Sequence, residues 1–129
     1  MMSEKKILIV DDEKAIITLL KQAFSRSGFD VVQADSAEQA LTVLEHEDVF
    51  VVFLDLNLPG MSGIELCKHI KKDKPMAVVF AVTGYASLFE LVDCREAGFE
   101  DYFKKPVDIK TLVKAANDAF EKIERWKRK

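Results

Sequence analysis

Cysteine, glycine and proline are all scarce in this chain, at two, five and three of 129 residues. Cys67 and Cys94 have neither the number nor the spacing of a disulfide framework or a zinc knuckle. Each falls within a helical apolar pattern, so both read as reduced residues in or near the core. So little glycine and proline excludes collagen-like and low-complexity chains. No apolar stretch approaches the roughly twenty residues of a membrane span, and the four apolar residues before Asp11 are too few for a secretory signal. The expected address is the cytoplasm, with no membrane partner. An excess of one charge sign is lacking too: 22 acids against 19 bases leave −3, without the basic footprint that nucleic acid requires.

What is present is a globular balance, 49% hydrophobic and 32% charged, in a length that suits one domain. The expected core covers about residues 5–121, followed by a basic helical extension at 122–129. Five short runs rich in β-branched and aromatic residues, at 7–10, 29–34, 49–54, 77–82 and 99–103, are the strand candidates. Between them the period is helical. Ile16, Leu19, Leu20, Ala23 and Phe24 form the first stripe, and Ala37, Ala40, Leu41 and Leu44 the second. Ile64, Cys67 and Ile70 mark the third, Leu88, Leu91, Val92 and Cys94 the fourth, and Ile109 through Ile123 the fifth. Ser36 with Gln39, Ser62 with Glu65 and Ser87 with Glu90 match reciprocal capping boxes, and Gly28 and Gly98 mark two helix exits. Strict alternation of strand and helix predicts an α/β fold, a doubly wound five-stranded parallel sheet with five helices.

Four of the five strands run straight into a reactive side chain. Asp11 and Asp12 follow the first, Asp55 the third, Thr83 the fourth and Lys105 the fifth, and the carboxyl ends of an open parallel sheet face one crevice. Taken singly, each has an ordinary reading: an N-cap pair, a turn threonine, a surface lysine beside Lys104. Nothing structural requires acid, acid, hydroxyl and ammonium at four strand ends together. Three converging carboxylates repel one another unless a cation shares the space. Oxygen donors in an open loop site suit Mg²⁺, since neither His46, His69 nor any cysteine falls near a strand end. Lys105 and Thr83 then supply the ammonium and hydroxyl that hold a phosphoryl group. Asp55, ending the central strand before a Pro59-Gly60 turn, is the candidate nucleophile, because aspartate can form an acyl phosphate.

Four segments carry a resemblance: ILIVDD (7–12), FLDLNLPGMSG (53–63), AVTG (81–84) and YFKKP (102–106). In this order and spacing the chain resembles the receiver domain of two-component response regulators, over nearly its whole length. The resemblance implies the flavodoxin-like strand order 2-1-3-4-5. It further implies that Asp55 is the phosphoacceptor and that Asp11, Asp12, Asp55 and the backbone carbonyl of Asn57 bind Mg²⁺. Lys105 would pair with the phosphoryl oxygen, and the side chains of Asn57 and Tyr85 would tune hydrolysis. Thr83 and Tyr102 would switch a surface made by the fourth helix, fifth strand and fifth helix. The donor would be a sensor histidine kinase or phosphotransfer protein, and the receiver of the signal a downstream protein, an attached effector or a second copy bound through that surface. Beyond Mg²⁺-dependent self-phosphorylation and autodephosphorylation, no enzyme activity is implied.

Other readings compete. The chain could be a receiver cut from a larger hybrid kinase or effector-linked regulator. An aspartyl-phosphate phosphatase of the haloacid dehalogenase type would need a second acid two residues after the nucleophile, where Asn57 stands. A constitutive interaction module would be expected to lack one of the five reactive groups, and all five are present. The fifth helix, expected over 107–128, would be about 30 Å long against about 17 Å for a five-residue strand. Its last turns should overhang the sheet and carry Trp126, amid Lys122, Arg125, Lys127, Arg128 and Lys129, as a docking or dimer surface.

Overall fold

The computed structural model describes residues 5–128. Strands and helices alternate through the chain: β1 (Lys6–Val10), α1 (Lys14–Arg26), β2 (Asp30–Ala34), α2 (Ala37–His46), β3 (Val51–Leu54), α3 (Gly63–Asp73), β4 (Val78–Thr83), α4 (Leu88–Ala97), β5 (Asp101–Lys104) and α5 (Ile109–Lys127). The five strands form one sheet in the order β2-β1-β3-β4-β5, all pairs parallel. The expected strand order is therefore the observed one. No helix among the described residues is long and apolar enough to cross a membrane.

Period-two alternation sorts the strand side chains to two faces. Leu8, Val10, Val52, Leu54, Val79 and Ala81 pack under α2, α3 and α4, with Ala37, Ala40, Leu66, Cys67, Ile70, Cys94 and Ala97. Ile7, Ile9, Val51, Phe53, Val78, Phe80 and Val82 pack under α1 and α5, with Leu20, Phe24, Leu112, Ala116 and Ile123. Both faces are covered, which is why the central strands read as unbroken apolar runs. A chain of rings crosses the α1/α5 face. Phe24, Phe53 and Phe80 follow one another at centroid separations of 5.0 and 4.7 Å, and Phe103 lies 5.8 Å from Phe80. Cys67 and Cys94 are buried free thiols, as their apolar settings predict.

Local chemistry departs from expectation in three places. The capping box is complete only at Ser87, whose hydroxyl accepts from Glu90 N–H while the Glu90 carboxylate accepts from Ser87 N–H. Ser36 accepts from Gln39 N–H, but the Gln39 side chain turns to Asp35 N–H one residue earlier, and Ser62 shows only the hydroxyl half. α5 starts at Ile109 rather than 107 because the Asp108 side chain caps it, accepting from Lys110 N–H. The α4 stripe also fails: α4 buries Cys94 and Ala97, while Leu88 and Phe89 stand 75% and 82% exposed. In the second half of α4, Ala97 lies against α3, where Cys67 Sγ meets its carbonyl at 3.6 Å. Gly28 and Gly98 do take positive φ at the helix exits, 91° and 105°.

Gly63, the first residue of α3, is required by proximity. A Cβ there would sit 2.2 Å from the Asp55 carbonyl oxygen and 2.7 Å from Leu56 Cα, both backbone atoms. Its N–H also donates to the Leu56 carbonyl at 2.9 Å, pinning the loop after β3. Gly63→Ala is therefore expected to lower unfolding free energy by at least about 1–3 kcal/mol, the cost of overpacking. Urea denaturation checks this; a midpoint equal to wild type with the same slope would mean the loop yields freely.

Candidate functional site

The parallel ladder itself carries the reactive residues to one edge. Asp11 N–H donates to the Ala34 carbonyl (3.1 Å), Asp55 N–H to the Val10 carbonyl (3.0 Å) and Lys105 N–H to the Thr83 carbonyl (2.9 Å). Each bond extends a strand pairing by one residue, so Asp11, Asp55, Thr83 and Lys105 emerge side by side at the carboxyl edge. Among the described residues, Asp11, Asp55 and Thr83 are the buried polar side chains, at 2%, 6% and 0% exposure. The core has thus admitted polar groups in one place only, where a buried polar group must find partners.

Lys105 provides one for each of the two carboxylates. Its Nζ lies 3.0 Å from Asp11 Oδ2, 3.1 Å from Asp55 Oδ2 and 2.6 Å from Glu13 Oε1. Burial opposes the ammonium charge, but the bonds to Glu13, Asp11 and Asp55 outweigh it and hold the pKa above the ordinary lysine value. Asp11 goes the other way for a carboxyl. Burial, with the Asp55 charge beside it, raises its pKa despite the bond from Glu13 N–H to Oδ1 and the Lys105 contact. Asp55 accepts from Asn57 N–H through its other oxygen, Oδ1, at 3.1 Å. The Asn57 side chain turns to the neighbouring strand, Nδ2 donating to Thr83 Oγ1 at 3.2 Å.

One carboxylate oxygen from each of Asp11, Asp12 and Asp55 lies within 4.8 Å of the others. The donors are all hard oxygens; His46 is engaged with the Thr42 carbonyl on α2 and both cysteines are in the core. That donor set fits a small divalent ion such as Mg²⁺ and not a soft metal. Tyr85 is largely exposed in the loop after β4. Tyr102 is half-buried on β5, packed against the core under α4. The structure thus gathers Asp11, Asp12, Asp55, Asn57, Thr83 and Lys105 and leaves the two tyrosines at the periphery. Two residues escaped sequence reasoning. Gly63 was visible only as the last letter of a motif. Glu13 was visible as a third consecutive acid after Asp11 and Asp12, with nothing to say that its partner lies 92 positions away.

Comparison with known proteins places the chain in a family. The family profile of the response regulator receiver domain matches residues 7–117. The alkaline phosphatase synthesis transcriptional regulatory protein PhoP of Bacillus subtilis is 40% identical over 114 residues, covering 86% of this chain and 48% of PhoP. Sporulation initiation phosphotransferase F of the same organism is 38% identical over 108 residues, 84% of this chain and 87% of that protein. The chain therefore spans about half of one relative and most of another. A CheY-like receiver domain protein from Methanospirillum hungatei superposes with a TM-score of 0.92 at 36% identity, over 95% of this chain and 98% of that one. With the strand order, the acid cluster and the profile in agreement, the chain belongs to the receiver-domain family of two-component response regulators.

Proposed function

We propose that Asp55 accepts a phosphoryl group from a phosphohistidine on a sensor kinase or phosphotransfer protein, and that the change at Asp55 is relayed to a protein-binding surface on α4, β5 and α5. One observation carries this reading. The central strand of the sheet delivers Asp55 between acids on one side, from β1, and a hydroxyl and an ammonium on the other, from β4 and β5. Asp55 stands between the two sets, with Lys105 bonded to it at 3.1 Å as it is to Asp11 at 3.0 Å.

In the proposed transfer an Asp55 carboxylate oxygen attacks phosphorus in line with the P–N bond of phosphohistidine. The O–P bond forms as the P–N bond breaks, and the electron pair leaves with the imidazole nitrogen, which takes a proton from solvent. Lys105, already 3.1 Å from Asp55 Oδ2, balances charge spreading over the phosphoryl oxygens. Asp11, Asp12, Asp55 and the Asn57 carbonyl would hold Mg²⁺, which when bound supplies further positive charge to those oxygens. The Thr83 hydroxyl, released from Asn57, would donate to the phosphoryl group, with Tyr102 turning inward behind it. Hydrolysis returns the Asp55 carboxylate, and the side chains of Asn57 and Tyr85 border the approach of water. We further propose that the chain works as one receiver domain in the cytoplasm.

Incubation with acetyl phosphate and Mg²⁺ should add one base-labile phosphoryl mass to the chain. Asp55→Asn should abolish it, and equal labelling of that variant by mass spectrometry would remove Asp55 as the nucleophile. Lys105→Ala should keep metal binding and lose at least tenfold in phosphotransfer rate, in line with removal of one charge-stabilising group. An unchanged rate in a stopped assay would remove Lys105 from the chemistry.

Asp11 yields a stability prediction with its sign. Its pKa is raised by folding, so its contribution to stability is full below the ordinary carboxyl value and is lost as pH rises through the folded one. At neutral pH the ionised group opposes folding. Asp11→Asn should raise stability at neutral pH without metal, and lose the additional stabilisation that Mg²⁺ gives wild type. Urea midpoints with and without Mg²⁺ test both halves; a destabilised variant, or one still stabilised by Mg²⁺, would contradict the assignment.

A further inference from the structure

Glu13 makes the shortest contact at the site and has no other visible task. It stands at the N-cap of α1, yet its side chain makes no capping bond. The first-turn N–H groups of Ile16 and Ile17 go to its backbone carbonyl instead. The carboxylate is 60% exposed at the mouth of the cleft, with Oε1 2.6 Å from Lys105 Nζ, against 3.0 and 3.1 Å for Asp11 and Asp55. Lys105 is the one cation bonded to the cluster among the described residues, and three carboxylates share it.

We propose that Glu13 is a positioning residue that competes with Asp55 for Lys105, holding the ammonium toward the cleft mouth while Asp55 is a free carboxylate and so setting the rate at which the site accepts a phosphoryl group. The inference rests on the proposed role of Asp55. A phosphoryl group arriving on Asp55 needs the Lys105 charge that Glu13 draws away, and each donor hydrogen given to Glu13 is withheld from the reacting oxygens. Glu13 thereby stabilises the ground state without contributing to the transition state, so its removal should speed transfer. Its own exposure limits the effect to that of a solvent-facing ion pair.

Glu13→Ala should raise the acetyl phosphate labelling rate roughly two- to fivefold, and Glu13→Gln, which keeps an acceptor oxygen without the charge, should fall between it and wild type. In a Lys105→Ala background the Glu13→Ala effect should vanish, because Glu13 acts through Lys105. The same gain in both backgrounds would mean simple repulsion of an anionic donor, and would overturn the proposal, as would an equal or slower rate for Glu13→Ala. A metal-free readout stands beside the kinetics: the Lys105 ammonium protons, observed by nitrogen-edited NMR, should exchange with water faster in Glu13→Ala than in wild type. Equal exchange would also overturn the proposal. If wild type takes no label, the Asp55 reading falls and this inference with it; if wild type labels and Glu13→Ala matches it, only the role of Glu13 falls.

Discussion

One ammonium allows two carboxylates to lie side by side out of water. Asp11 and Asp55 are nearly inaccessible, follow adjacent strands and each point an oxygen at Lys105, at 3.0 and 3.1 Å. Without that charge the two carboxylates would repel each other. Much of the architecture is arranged so that Lys105 can be there. β5 lies two strands from β3, yet the side chain of Lys105, the residue after β5, reaches back to Asp55 at the end of β3. The bond from Lys105 N–H to the Thr83 carbonyl fixes where the long side chain begins its reach. The aromatic chain Phe53, Phe80, Phe103 binds these same three strands on the α1/α5 face. A rigid platform and a long flexible side chain divide the work.

Which parts of this were legible in the sequence follows from the range of the interactions involved. The strands were readable because burial on both faces leaves runs such as 7–10 and 51–54 without a polar residue. The strand-end site was readable because a parallel sheet converts position along the chain into position at an edge. Boundaries moved by one or two residues where a cap decided them, as Asp108 does for α5. The amphipathic stripe of α4 misled because apolar spacing records what could be buried, while burial depends on what packs above. On α4 the buried residues are Cys94 and Ala97, both in its second half. The Glu13–Lys105 and Asn57–Thr83 contacts join residues 92 and 26 positions apart through side-chain rotamers, which no local pattern encodes. The Gly63 requirement arises from a backbone approach to Asp55, visible only once the β3–α3 loop has been folded.

Both groups expected to reach a phosphoryl oxygen already have partners. Thr83 Oγ1 accepts from Asn57 Nδ2, and Lys105 Nζ is divided among Asp11, Glu13 and Asp55. These ties serve stability first, since a buried hydroxyl and a partly buried ammonium without partners would each cost a few kcal/mol. They also set a threshold: whatever draws Thr83 and Lys105 away must offer better bonds than those it breaks. For Thr83 a phosphoryl dianion would, because a charge-assisted bond is about twice as strong as the neutral one to Asn57; for Lys105 it would exchange one charge-assisted bond for another. Asn57 occupies both sides of this exchange, its N–H on Asp55 Oδ1 and its side chain on Thr83. The residue that follows Asp55 by two is therefore hydrogen-bonded to the residue that ends the next strand.

The exposed start of α4 gives that coupling somewhere to go. Only Gly84, Tyr85 and Ala86 separate Thr83 from the capping box at Ser87, and beyond it Leu88 and Phe89 face solvent. Fully burying either side chain would be worth roughly 1.5–3 kcal/mol, and here that stabilisation is absent. The amino-terminal half of α4 is thus held chiefly by its cap, while its carboxyl-terminal half is anchored by Cys94 and Ala97 in the core. Segments with few buried apolar contacts open and shift at the lowest free-energy cost in a fold. A shift of Thr83 by one rotamer therefore meets little resistance in the turn that follows it. Under the proposed function, the apolar side chains left uncovered on α4 are the ones whose placement such a shift would alter.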